Sequence, residues 1–329
     1  MSGDTGGRRI GVREVAAAAG VSTQTVSRVL NDYPGIRDAT RERVLDAVAA
    51  LDYRVNNAAR ALGTSLTRTV GVVASDAVLH GPAAGIAALE RAARARGRWI
   101  STAYTDSDDP ADIDVAVQHL LDQGVDGIVL VAAHGETPLE GYAVPIVPLY
   151  GESGTRQREA AALAVQHLAD LGHRRIIELA GPADWREARA RADGVADAIA
   201  RRGLERVAGF EGDWSAASGA ALASAVAERV RAGATAVAVA NDQMALGLSA
   251  GLAARGLVVP RDVSMTGFDD NPDAAFYSPA LTTVRLDVEG EAAYAVAAVL
   301  GDAAPAPTPP VLMVRDSAAT PRQVASPQG

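Results

Sequence analysis

Between Ser22 and Asn31 the sequence STQTVSRVLN sets polar side chains against an apolar stripe. Val26, Val29 and Leu30 recur at the three- and four-residue spacing of one helical face, which leaves Thr23, Gln24, Ser27 and Arg28 on the opposite face. Gln24 and Arg28 are four residues apart, so their side chains stack on one exposed surface. A glutamine amide pairs bidentately with adenine, and an arginine guanidinium with guanine, in the major groove of DNA. This pair is therefore a candidate base-reading face, although a bare polar face is more often just the solvated side of a helix.

The elements that must hold this face are legible on either side of it. Val12, Val15, Ala16 and Ala19 mark one face of a preceding helix, and Gly20 supplies a left-handed stop. Ser22 suits the N-cap of the next helix. Asp38 and Glu42 open a third, with Val44, Leu45, Val48 and Leu51 expected to face inward. Helix, short turn with Gly and second helix form a helix-turn-helix pattern.

Residues 11–64, GVREVAAAAGVSTQTVSRVLNDYPGIRDATRERVLDAVAALDYRVNNAARALGT, resemble without gaps the DNA-binding headpiece of the LacI/GalR family of bacterial transcription regulators. The resemblance implies that Thr23, Gln24 and Arg28 read bases. Ser22, Thr25 and Ser27 would face phosphates or support the helix, and Asn31 would close it. It places the headpiece at 11–52 and a hinge at 53–66 that becomes helical only on operator DNA. NNAARAL (56–62) matches that hinge, with Asn56 among its DNA contacts and Leu62 as the apolar wedge into the minor groove. Val55 stands where the family usually has Pro.

From Thr69 onward the pattern changes. Apolar runs at Val70–Ala74, Gly127–Ala132, Val144–Leu149, Arg175–Ala180, Ala234–Ala240 and Val263–Phe268 alternate with helical stretches such as Gly85–Arg96 and Ala160–Leu171. Continuous apolar strands separated by helices predict parallel sheets covered on both faces. ASDAVLHGP (74–82), EGDWSAASG (211–219), ANDQMALG (240–247), GFDD (267–270) and YSPALTTVRLD (277–287) continue the family resemblance in order. It implies a small all-α headpiece joined to an α/β periplasmic-binding-protein-like (type I) sensor at 67–316. That sensor would have two doubly wound parallel-sheet subdomains, crossed by the chain near 150–157, 285–288 and 302–310.

In such a sensor a small molecule binds between the lobes, at the carboxyl ends of the strands. The resemblance implies a sugar or glycoside effector. Trp214 would cover a ring face, Asp269 would accept from hydroxyls, Asn241 would donate and accept, and Arg191 would donate in a fork. Ser75 and Leu79 would line the other lobe. Tyr150 replaces a family acidic residue, and Leu286, Ala160 and Asp193 also depart from common choices.

Composition bounds the alternatives. The chain has 329 residues and no Cys, which excludes disulfides, a thiol nucleophile and Cys-ligated metal. Net charge is −9, distributed as +2 over residues 1–64 and −11 over the rest. A mildly basic head on an acidic body permits DNA binding by the head alone. No apolar run approaches the roughly 20 residues of a membrane span, and Met1 to Arg9 is too polar for a secretory signal, so a cytoplasmic location is expected. An α/β enzyme and an exported sugar-binding protein are the alternative readings. Against the enzyme, no dinucleotide, phosphate-loop, zinc-protease or nucleophile-elbow motif occurs. His80, His119, His134, His167 and His173 lack metal spacing, so neither metal nor cofactor is expected. Residues 1–10 and 317–329 read as disordered tails. The expected assembly is a homodimer on pseudo-palindromic operator DNA, because the tail lacks a Leu heptad run that could join dimers.

Overall fold

A computed structural model describes residues 10–30, 33–53, 67–105, 110–131, 141–151 and 154–322. The chain divides into two units, Met1–Thr67 and Arg68–Gly329.

The first unit holds three helices, α1 (Val12–Ala19), α2 (Thr23–Leu30) and α3 (Asp38–Ala50). Gly20 closes α1 at φ 64°, a left-handed conformation that a side chain would disfavour. Two residues later, the Ser22 hydroxyl accepts the Thr25 N–H at 3.1 Å and starts α2. Val15, Ala16, Ala19, Val26, Val29, Val44 and Ala47 form the small core. Leu45, expected to face inward, is 48% exposed. The inward face of α3 is Val44, Ala47, Val48 and Leu51, and Leu45 lies ~100° around the helix from Val44.

The second unit opens with β1 (Thr69–Ser75), α4 (His80–Ala95), β2 (Trp99–Thr105), α5 (Pro110–Asp122), β3 (Gly127–Val131) and β4 (Ile146–Pro148). These strands make a parallel sheet in the order β2-β1-β3-β4, with Val70 of β1 beside Ile100 and Gly127. There follow α6 (Thr155–Asp170), β5 (Arg175–Ala180), α7 (Arg186–Arg202), β6 (Glu205–Glu211), α8 (Ala216–Arg231), β7 (Ala236–Val239), α9 (Asp242–Ala253) and β8 (Ser264–Thr266). A second parallel sheet runs β6-β5-β7-β8. Next come β9 (Thr283–Arg285), α10 (Val288–Leu300) and β10 (Val311–Met313). β9 and β10 form an antiparallel pair beside α6, whereas α10 packs on α4 and β3 of the first sheet.

Residues 317–322, expected to be part of a disordered tail, are built into the second lobe. The Ser317 hydroxyl accepts from Thr282 N at 2.8 Å and donates to Met265 O at 2.7 Å, while Met265 N donates to Ser317 O. Ala319 N donates to Ser264 Oγ, and His173 Nε2 donates to Ala319 O at 2.9 Å. The cause is β8, an edge strand whose backbone groups need partners that the sheet does not supply on that side.

Candidate functional site

In the headpiece, Ser22, Thr23, Gln24, Ser27 and Arg28 are exposed, and Thr25 is half-buried. Val26 and Val29 are buried beneath them, so the polar face of α2 is held outward by its own core. Ser22 and Thr25 are joined through their hydroxyls at 2.9 Å, which makes them part of the capping turn. Asn31, Asn56 and Leu62 lie outside the described residues.

In the body, Leu79, Tyr150, Arg191, Trp214, Asn241 and Asp269 line one cleft. Each sits just beyond a strand or in the first turns of the helix that follows one. Leu79 is the N-cap of α4, Asn241 the N-cap of α9, and Arg191 lies in α7. Tyr150 follows β4, Trp214 follows β6 and Asp269 follows β8. Ser75 is buried at the end of β1 beside Thr105 and is not among the cleft-lining residues. The cleft also includes Gly81, Pro82, Val131, Trp185, Glu187 and Gln243, none of which was singled out from the sequence. The usable signal was position, since Trp185 and Glu187 follow β5 just as Trp214 follows β6.

Two tryptophans form a corner. Their ring centroids are 5.5 Å apart at 63°, an edge-to-face arrangement. The far end of the Trp214 indole rests on Gly181, where a Cβ would come within 2.2 Å of Cη2. Trp214 Nε1 is buried without a hydrogen-bond partner. Trp214 and Asp269 both hold positive φ, 72° and 103°, which non-glycine residues rarely adopt outside sites where the surroundings impose it.

Arg191 does more structural work than the sequence suggested. Its Nε donates to Gln157 Oε1 at 2.8 Å, its Nη1 to Ala240 O at 2.5 Å, and its Nη2 pairs with Asp269 Oδ1 at 3.1 Å. The guanidinium carbon lies 3.8 Å from the Phe268 ring centre and 5.3 Å from that of Trp214. Asn241 is likewise engaged, donating from Nδ2 to Trp214 O and accepting from Met244 N, both at 2.9 Å. Burial pushes the Asp269 carboxyl above its usual range, and Arg191 and His80 pull it back. Behind it, burial pushes Asp242 up to about 8, although its carboxyl accepts from Thr283 Oγ1 and Asn271 N. Across the opening, His80 N donates to Gln243 Oε1 at 3.3 Å, which links α4 to α9.

Among the described residues there is no acidic or histidine cluster suited to a metal, and no helix is long and apolar enough to cross a membrane. The bacterial regulatory protein profile of the lacI family matches residues 12–56, and a periplasmic binding protein-like domain matches residues 165–323. The lactose operon repressor of Escherichia coli (strain K12) is 33% identical over 288 residues, covering 83% of this chain and 79% of that protein. The regulator MalR of Streptomyces coelicolor is 33% identical over 338 residues, covering 93% and 96%. Among solved structures, the lac repressor dimer bound to operator and the anti-inducer ONPF aligns with a TM-score of 0.78 at 30% identity, covering 95% of this chain and all of that one. A complex of the transcriptional regulator CelR with cellobiose aligns at 0.67 and 29% identity, covering 94% of this chain and 100% of that one. These relatives are transcriptional regulators, not enzymes.

Proposed function

Because this chain belongs to the lacI family of bacterial regulatory proteins, we propose that it is a dimeric, effector-controlled repressor of carbohydrate-use genes. One observation carries the reading: a helix-turn-helix with Gln24 and Arg28 exposed shares the chain with a cleft holding Tyr150, Arg191, Trp214, Asn241 and Asp269. Thr23, Gln24 and Arg28 read base edges in the major groove, and Ser22, Thr25 and Ser27 support or contact the backbone. Residues 53–66 form the hinge, with Leu62 as the wedge. Exposed Leu246, Val258 and Phe276 on the second lobe support pairing with a second copy, and two copies would match a pseudo-palindromic site in the cytoplasm.

The effector is a small sugar or glycoside. It acts by linkage: a ligand that binds one lobe arrangement more tightly shifts the population, and operator affinity changes by the same coupling free energy. Genome-wide footprinting of the purified full-length protein tests the regulator reading, followed by mobility-shift titration on a recovered site and on a scrambled duplex. Gln24→Ala and Arg28→Ala should each weaken binding to the recovered site by ~1–3 kcal/mol while leaving scrambled DNA nearly unaffected. Equal losses on both duplexes would reassign these residues to phosphate contact, and the absence of any preferred site would refute the regulator reading.

A further inference from the structure

The chain passes between the lobes after β4, again between β9 and α10, and a third time between α10 and β10. Two carboxylates at the start of α10 bond to all three crossings. Asp287, in the second crossing, caps α10 by accepting Gly290 N through Oδ1 at 2.9 Å. Its Oδ2 accepts both the backbone N–H and the hydroxyl of Thr308, each at 2.8 Å, and Thr308 lies in the third crossing. Glu291, one turn further along α10, accepts from Arg156 Nε at 2.6 Å. Arg156 is the second residue of α6, just past the first crossing.

This arrangement differs from the pairs within each lobe. α6 packs on α7, β7, β9 and β10 of the second lobe, whereas α10 packs on α4, β3 and β4 of the first. The Arg156–Glu291 pair therefore joins elements that belong to different lobes, and rotating one lobe on the other must change its length. Arg91 and Glu289 pair inside the first lobe, and Arg158 and Asp197 inside the second, so neither pair senses such a rotation.

Glu291 also has reason to keep its partner. Its side chain is 4% exposed, against 32% for Arg156. Burial raises its pKa, Arg156 pulls it back by charge and hydrogen bond, and Asp287 adds to the rise. Arg156 favours the charged form of Asp287 as well. A buried carboxylate without its cation is costly, so drawing α6 away from α10 is opposed for as long as Glu291 stays out of water. The pair borders the cleft, since the Glu291 charge adds to the rise that burial gives the Tyr150 hydroxyl.

We propose that Arg156, Asp287, Glu291 and Thr308 form a clasp over the three crossings that holds the lobes in the arrangement described here, and that its strength sets the operator affinity of the effector-free protein. This rests on the reading of the chain as an effector-controlled regulator.

The chain has no Cys, so the full-length protein can carry spin labels through Val115→Cys in α5 of the first lobe and Ser224→Cys in α8 of the second, both exposed positions. Pulsed electron resonance on labelled chains diluted in excess unlabelled protein reads the distance between lobes within one chain. The parent should give one narrow distance. Glu291→Gln removes the charge that Arg156 must neutralise, and Arg156→Gln strands it. Each should add a second distance held by at least about a tenth of the molecules. In the same variants, affinity for a footprinted site without added ligand should change by at least about fivefold, with melting temperature confirming that they are folded. Thr308→Val, which removes one of the two bonds from Thr308 to Asp287, should act in the same sense but more weakly. If Arg156→Gln does not fold, Glu291→Gln, which keeps the side chain's shape, decides. The parental distance alone in every folded variant overturns the clasp. A second distance with operator affinity unchanged overturns its part in regulation. If the parent prefers no DNA site, the regulator reading fails, and the distances still decide whether the clasp holds the lobes.

Discussion

Replacing Arg191 by methionine keeps a side chain of similar reach and removes the charge, and the structure gives the consequence a size. Asp269 loses the Arg191 guanidinium, its ion-pair partner among the described residues, while its side chain is 15% exposed, and Gln157 Oε1 and Ala240 O lose their donors. Breaking a buried pair from one side costs about 3–5 kcal/mol. Water in the cleft offsets part of this, so about 3 kcal/mol is expected. For a unit of this size each kcal/mol lowers the midpoint by ~2–4 °C, so the body should melt about 6–12 °C lower in scanning calorimetry. The pH dependence follows from Asp269, whose folded pKa is raised by burial and held down by Arg191. In the variant it rises further. The native state then binds the proton more tightly than the unfolded chain, and the benefit is fully present below the unfolded value near ~4 and lost as pH rises through the folded one. The deficit of Arg191→Met should therefore be smaller near pH 5 than at pH 8. Adding Asp269→Leu removes the stranded charge and should recover part of the loss. A midpoint within about 2 °C of the parent, or a double variant no better than the single one, would refute the structural role assigned to this pair.

Gly181→Ala should push Trp214 off its seat, since the added methyl would lie 2.2 Å from the indole. A cost of ~1–3 kcal/mol in body stability and loss of ligand-linked change in DNA affinity are expected, with unliganded DNA binding retained; an unaltered effector response in the mobility-shift titration would argue against Trp214 as a cleft wall. If Leu62 is the proposed minor-groove wedge, Leu62→Ala should reduce operator bending and specific affinity together, because an unstacked base step costs a few kcal/mol that the wedge must offset; gel-phasing that shows unchanged bending would remove Leu62 from that role. Burial lowers the pKa of His173 and His167, so both favour the neutral folded form, and their contribution is present above ~6.5 and lost as pH falls through the folded values. The body's unfolding free energy should fall between pH 7 and pH 5, by at most ~1.4 kcal/mol per pH unit per group, with a matching drop in melting temperature, and His173→Gln should flatten that slope; an equally steep profile in the variant would exonerate His173.

How much of this was visible in the sequence depends on where each residue's partners lie. The helix-turn-helix was legible because its signals are local: Gly20 and Ser22 are the first and last residues of a three-residue turn, and Val26 and Val29 recur on one face. The central strands were legible as continuous apolar runs because both faces are covered. β2 and β6 were not, because most of their side chains are exposed or half-buried, Trp99 and Tyr104 of β2 among them, so neither strand reads as a continuous apolar run. Ser317–Ala319 looks like tail by composition, yet it completes the backbone bonding of β8, a need that no local pattern reveals.

The cleft shows the same division. The family resemblance brought six of its residues forward because they sit at strand ends in a recognisable order. It did not reveal that Arg191 is already bonded to Gln157 and Ala240 O, or Asn241 to Trp214 O, since those partners come from other segments of the chain. That engagement bears on the switch itself. Arg191 ties α7 to the end of β7 and to the loop after β8, and the His80–Gln243 bond ties α4 to α9 across the opening. A ligand hydroxyl that bonds Asp269 or Gln243 must compete with, or add to, a bond that already biases the lobe arrangement. A ligand that adds contacts while both bonds stay in place favours the arrangement described here, and one that breaks the His80–Gln243 link works against it. Whether an effector releases or strengthens DNA binding is thereby reduced to its differential affinity for these two arrangements.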